Sequence, residues 1–176
     1  PSHNWLVGMF PEKGQKEYWA DSADVLSSTS FNPTRAKVDA APGGYRLSGH
    51  WDFSSGCDAA DWAMLGGMTA DGLRWFLVPR SDFTIEDTWF VSGMRGTGSK
   101  DIVIEETFVP EHRVGNVAAM REGQSPGRSL HGSCNYLIPY SSMLSYTLAA
   151  PVLGMSQGAV DVFEEQVMGR MTYTTG

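Results

Sequence analysis

Three short stretches of this chain hold residue types suited to gripping a planar, polar-edged ligand. The first is Gly49-His-Trp-Asp-Phe-Ser-Ser-Gly-Cys-Asp-Ala-Ala-Asp-Trp62. Alternate side chains of a strand point to opposite faces, so Trp51 and Phe53 share one face and Asp52 and Ser54 the other. With the two aromatics in a core, the Ser54 hydroxyl faces outward. Ser54, Ser55 and Gly56 then close the strand with two adjacent hydroxyls that can donate or accept. The plainer alternative is a strand running into a Ser-Gly turn, and composition alone favours it.

The second stretch is Gly93-Met-Arg-Gly-Thr-Gly-Ser-Lys-Asp101. Its order, GxxGxGSK, is not the GxxxxGK[ST] of a P-loop, and Ile102-Val103-Ile104 after it reads as strand rather than helix. Arg95, Thr97, Ser99 and the backbone amides of such a loop suit an anionic group; a glycine-rich hairpin loop with incidental charges is the competing reading. The third stretch, Ser27-Ser-Thr-Ser-Phe-Asn-Pro33, ends a strand in the hydroxyls of Thr29 and Ser30. Of the four histidines, His50, His112 and His131 read as solvated or hydrogen-bonded residues. His3 lies at the amphipathic start of the chain. Spacing supports no Ser-His-Asp or Cys-His set.

Elements must hold these groups in place. Residues 3–19 show helical spacing of Trp5, Leu6, Met9 and Phe10, with Pro11 opening a second helix that carries Tyr18 and Trp19. From about residue 24 to 115 the pattern becomes short strands: Val25–Ser30, Ala36–Ala41, Tyr45–Ser54, Trp62–Thr69, Leu73–Val78, Phe83–Trp89 and Asp101–Pro110. Pro42-Gly43-Gly44 and Ala70-Asp71-Gly72 are hairpin signals. A small antiparallel barrel or sandwich follows from this spacing. Residues 116–140 read as a connector. Leu148, Val152, Met155, Ala159, Val162, Phe163 and Val167 then recur at helical steps from about Ser141 to Arg170, with Pro151 near the start. An apolar stripe of that length needs partner helices.

Bulk properties narrow the function. A net charge of −7 over 176 residues argues against a phosphate-neutralising grip on nucleic acid. No apolar run reaches the ~18 residues of a membrane span. Cys57 and Cys134 form no CxxC pair and no metal-ligand cluster with the histidines, so no metal site is expected. A reduced, cytoplasmic chain is the simplest reading.

In their order along the chain, these segments resemble the acyl-CoA dehydrogenase superfamily. Gly49–Trp62 is similar to the strand that carries Thr or Ser beside the flavin N5 edge. Met94–Pro110 is similar to the end of the middle β-domain, and Ala149–Arg170 to the first long helix of the C-terminal bundle. The resemblance implies an α+β fragment: residues 1–22 end an N-terminal helical domain, 23–115 form a middle antiparallel β-barrel domain, 116–140 connect, and 141–176 begin a four-helix bundle. Phe53-Ser-Ser-Gly-Cys-Asp is closer to the oxygenase components of two-component flavin monooxygenases. Where acyl-CoA dehydrogenases carry a tryptophan just ahead of Ile-Thr-Asn-Gly, this chain has Asp52, which opens space over a flavin.

That branch implies aromatic, phenol-type hydroxylation by reduced FMN (or FAD) and molecular oxygen, through a flavin C4a-hydroperoxide, with a separate flavin reductase as partner. Ser54 and His3 would be catalytic, His3 and Thr29 would meet the substrate, and Thr29, Ser30, Phe53, Ser54, Ser55, Arg95, Thr97 and Ser99 would bind the cofactor. A homotetramer in the cytoplasm is implied as well. Two other readings stand beside it: an acyl thioester dehydrogenase, for which Glu164 and Glu165 are unconvincing bases, and a non-catalytic homologue of the fold.

Overall fold

A computed structural model describes residues 2–168. The chain divides into two units after Tyr140. In the first, Pro11 separates two short helices, α1 (Ser2–Val7) and α2 (Glu12–Tyr18). Eight strands follow: β1 (Ser27–Ser30), β2 (Ala36–Ala41), β3 (Gly44–Ser54), β4 (Trp62–Thr69), β5 (Gly72–Pro79), β6 (Thr84–Glu86), β7 (Lys100–Pro110) and β8 (Val114–Asn116). Two further short helices, α3 (Val117–Arg121) and α4 (Gly127–Leu130), lie in the segment expected to be a connector.

The strands form two four-stranded sheets, ordered β1-β4-β5-β8 and β2-β3-β7-β6. Both glycine hairpins form as expected, joining β2 to β3 and β4 to β5. Two expectations need correction. Among the described residues the sheets do not close into a barrel. Nor is the pairing wholly antiparallel, because β1 runs parallel to β4, with Thr29 opposite Met64. Parallel neighbours need a long crossover, and here the β2–β3 hairpin supplies it.

Strand alternation sets three layers. Ala63, Leu65, Phe76 and Val78 point between the sheets, against Leu47, Trp51, Ile102 and Ile104. Met64, Trp75 and Leu77 point the other way, against Leu6, Phe10 and Tyr18 of the helical layer. β4 and β5 are therefore apolar on both faces, which is why their sequence runs read as nearly unbroken hydrophobic stretches. Trp51 crosses the inner layer and donates its indole N–H to the Gly66 carbonyl at 2.7 Å. Gly66 must lack a side chain, since a Cβ there would collide with the Phe31 carbonyl.

In the second unit, α5 (Tyr140–Met168) continues through Pro151. Leu148, Val152, Phe163 and Val167 on it are exposed. The expected helix end at Arg170 and residues 169–176 lie outside the described residues.

Trp51→Phe removes the indole donor, leaves the buried Gly66 carbonyl unpaired and opens a small void. The expected cost is about 1–3 kcal/mol for the orphaned carbonyl alone, read as a lower urea midpoint for the purified full-length protein.

Candidate functional site

The register between β3 and β7 decides which groups face outward. Trp51 sits opposite Ile102, and Ser54 opposite Lys100. Three steps on β3 thus span two on β7, which is a one-residue bulge. Within it Phe53 adopts φ +60°, a left-handed conformation that costs a non-glycine residue on the order of 1–2 kcal/mol. The extra residue inverts the alternation. Phe53, expected in the core beside Trp51, is 69% exposed, and Ser54, expected outside, is wholly buried with no partner for its hydroxyl. The outward placement of Ser54 is therefore corrected; the hydroxyl exposed at this strand end belongs to Ser55.

A polar network holds the bulge. The Asp101 carboxylate accepts the Phe53 amide at 3.3 Å and the His50 imidazole at 2.8 Å. His50 also lies 3.5 Å from Asp52, which is paired with Arg35 at 2.7 Å. Burial pushes the Asp101 carboxyl up, but hydrogen bonds from His50, Thr88 and the Phe53 amide outweigh it and hold the group below its ordinary 3.8. His50, Asp52 and Asp101 place ligand-type atoms within 4.8 Å of one another. Arg35 and the Phe53 amide already engage the two carboxylates, so the cluster reads as an ion-pair brace. His50 does structural work here, as do His112, paired with Glu17, and His131, paired with Gln15.

On one side of the bulge stands a row of hydroxyls. Ser55 meets Ser99 at 2.8 Å, Ser99 meets Thr97 at 2.8 Å, and Thr97 donates to the Met94 carbonyl at 2.9 Å. The loop that carries them packs on the strand end through the Gly56 amide, which donates to the Thr97 carbonyl. The exposed Phe53 ring meets Trp89 edge-on, 6.1 Å between centroids. Arg95 is exposed on the same loop.

On the other side, Ser30 donates to the Asp52 carbonyl at 2.7 Å, which ties the end of β1 to β3. Its neighbour Thr29 lies on the opposite face of β1, half-buried, 3.5 Å from His3 Nε2. His3 Nδ1 is bonded to the Ser27 carbonyl. A carbonyl can only accept, so Nδ1 carries the proton and Nε2 keeps its lone pair toward Thr29. His3 thus meets Thr29, Ser30 next to it meets the Asp52 carbonyl just before Phe53, and Ser55 meets Ser99 and through it Thr97. An apolar ring face, a row of neutral hydroxyls and one exposed guanidinium match the chemistry of a planar cofactor with an anionic tail. Sequence reasoning missed the brace of Arg35, His50, Asp52 and Asp101 because their meeting depends on the bulge; His50 and Asp52 two apart on a strand were the only hint.

Comparison with known proteins places the chain in a family. The chain is 40% identical over 168 residues to the flavin-dependent monooxygenase oxygenase subunit HsaA of Rhodococcus jostii, a match of 93% of this chain and 44% of that protein. The chain belongs to the family of flavin-dependent monooxygenase oxygenase subunits. Another relative in it, the oxygenase component of an FADH(2)-dependent resorcinol hydroxylase from a Rhizobium species, is 36% identical over 178 residues, with 97% of this chain and 43% of that protein matched. The crystal structure of 3-HSA hydroxylase from Rhodococcus sp. RHA1 superposes with a TM-score of 0.85 at 39% identity, over 97% of this chain and 46% of that one. The chain therefore spans less than half the length of these relatives. A glutaryl-CoA dehydrogenase from Mycobacterium smegmatis, at 18% identity and a TM-score of 0.57, shares the fold. No protein-family model matches the chain.

Two outcomes test the geometry. Ser54→Ala removes a buried hydroxyl that has no partner, so stability is expected to hold or rise by about 1 kcal/mol, measured by urea unfolding. Because the folded Asp101 carboxyl lies below its ordinary value, its contribution to stability is complete above about pH 5 and is lost as pH falls through the folded value. Asp101→Asn is expected to be less stable at neutral pH and to show a shallower acid-side decline, read from unfolding midpoints across that range.

Proposed function

We propose that this chain is part of the oxygenase component of a two-component flavin-dependent monooxygenase that hydroxylates a phenol-type aromatic. The observation that carries the reading is His3. Its Nδ1–H is committed to a backbone carbonyl, which leaves Nε2 as a fixed base beside the Thr29 hydroxyl. Such a nitrogen can accept the proton of a phenol, and Thr29 can donate to the resulting oxygen. The phenolate ring is the stronger nucleophile toward activated oxygen.

In this reading the cofactor is reduced FMN in the first instance, with FAD as the alternative. When bound, reduced flavin supplies the electrons with which dioxygen is activated. Phe53 and Ser55 would face it, with Thr97 and Ser99 behind Ser55, Thr29 and Ser30 at the other edge, and Arg95 available to an anionic tail. The role first given to the Ser54 hydroxyl passes to Ser55, since Ser54 is buried. The Phe53–Trp89 pair offers that face an apolar surface.

The same reading divides the protein into the end of an N-terminal helical domain (1–22), a middle β-domain (23–115), a connector (116–140) and the first bundle helix (141–176). A separate flavin reductase as partner, a homotetrameric assembly and a cytoplasmic location complete it.

The test supplies full-length protein with reduced flavin, oxygen and a set of phenols, and measures hydroxylated product. His3→Ala is expected to lower the hydroxylation rate about a hundredfold, while reduced-flavin affinity stays close to wild type. An unchanged rate would remove His3 from the reaction.

A further inference from the structure

His3 stands on a helix too short to hold itself still. α1 has six residues, and a helix under about 12 residues has little stability of its own in water. Packing must therefore fix both its place and its rotation about its axis. Rotation matters most for His3. At a side-chain radius of about 5–6 Å, a turn of about 10° carries a ring through about 1 Å. A displacement of that size can cost about a hundredfold in rate.

The C-terminal end of α1 is held by burial of Leu6 and Val7 and by the Gln15 amide, which donates to the Gly8 carbonyl at 3.0 Å. The end that carries His3 is held from another direction. The hydroxyl of Tyr18, the last residue of α2, donates to Asn4 Oδ1 at 2.9 Å. Consecutive residues lie about 100° apart around a helix, so a tie on Asn4 sets the angle at which the His3 ring leaves α1.

Tyr18 is buried, and burial pushes its hydroxyl above its ordinary 10, which keeps the proton for donation. Its ring lies 5.7 Å from that of Trp62 between centroids. Trp62 is the β4 residue opposite Ser27, and the Ser27 carbonyl takes the His3 Nδ1–H. Tyr18 thus reaches both α1 beside His3 and the strand pair that fixes the His3 tautomer. Its own place is secured through Glu17, which pairs with Arg113 at 2.6 Å, while Arg113 lies over the Trp62 ring.

We infer that Tyr18 is a positioning residue for the hydroxylation: through Asn4 it sets the angle at which His3 Nε2 meets the substrate oxygen. This deepens the reading of His3 as the base and rests on it.

The experiment measures hydroxylation kinetics and reduced-flavin affinity of full-length protein, with reduced flavin, oxygen and a phenol that the wild type turns over. The variants are Tyr18→Phe, Asn4→Ala, His3→Ala and Tyr18→Phe combined with His3→Ala. Tyr18→Phe keeps the packed ring and loses only the hydrogen bond; Asn4→Ala cuts the same bond from its other end. Each is expected to lower kcat about tenfold while reduced-flavin affinity stays close to wild type. Without His3 the hydroxyl has nothing left to aim, so adding Tyr18→Phe to His3→Ala is expected to cost less than about twofold more. If His3→Ala slows the reaction and neither Tyr18→Phe nor Asn4→Ala does, the inference fails while the reading of His3 stands. A loss from Tyr18→Phe that is as large without His3 as with it makes Tyr18 merely structural and also overturns the inference. If His3→Ala leaves the rate unchanged, both fail together.

Discussion

The site depends on a single inserted residue in β3. Between Trp51 and Ser54 the strand takes one step more than its partner β7, and the left-handed turn at Phe53 absorbs the surplus. Without the bulge, Phe53 would enter the inner layer beside Trp51, and Ser54 would face out in its place. With it, an aromatic ring stands exposed at the edge of the sandwich and Ser55 follows it at the surface. The strain of that turn persists because Asp101, itself engaged by His50, holds the Phe53 amide.

The rest of the first unit positions this edge. Trp51 anchors β3 across the inner layer through Gly66, so the residues just after it begin from a fixed point. Ser30 joins the end of β1 to the backbone at Asp52. His3 reaches the same region because Leu6 of α1, and Phe10 just after it, pack on the outer face of the β1-β4-β5-β8 sheet. The helical layer thereby brings an imidazole beside the Thr29 hydroxyl, apart from the His50 imidazole that Asp101 engages.

Much of this was legible in the residues. Hairpin glycines located both tight turns, near-continuous apolar runs marked β4 and β5, and the joint order of motifs pointed to the family. What escaped was parity. A two-residue period predicts the face of each side chain only while the strand stays regular, and nothing in Trp-Asp-Phe-Ser-Ser announces an insertion. The error fell on the residue given the central role, Ser54, and its neighbour Ser55 inherited the exposed position. The brace of His50, Asp52 and Asp101 escaped for the same reason, since Asp101 meets the Phe53 amide only across the irregular register. The short β8 at the end of the β-domain, and α3 and α4 in the connector, stayed hidden because elements of three to five residues are too short to show a period. The parallel pairing of β1 was hidden too, as alternation says which face a residue takes and not which way its partner runs.

That parallel pairing bears on how the molecule reaches its native state. A hairpin can zip from its turn, but β1 finds β4 only after the β2–β3 excursion has folded back, with Ser27 opposite Trp62. Contacts of that separation carry a higher search cost than a hairpin's. The edge strand bearing Thr29, only four residues long, is a natural first place for local opening and exchange of amide protons.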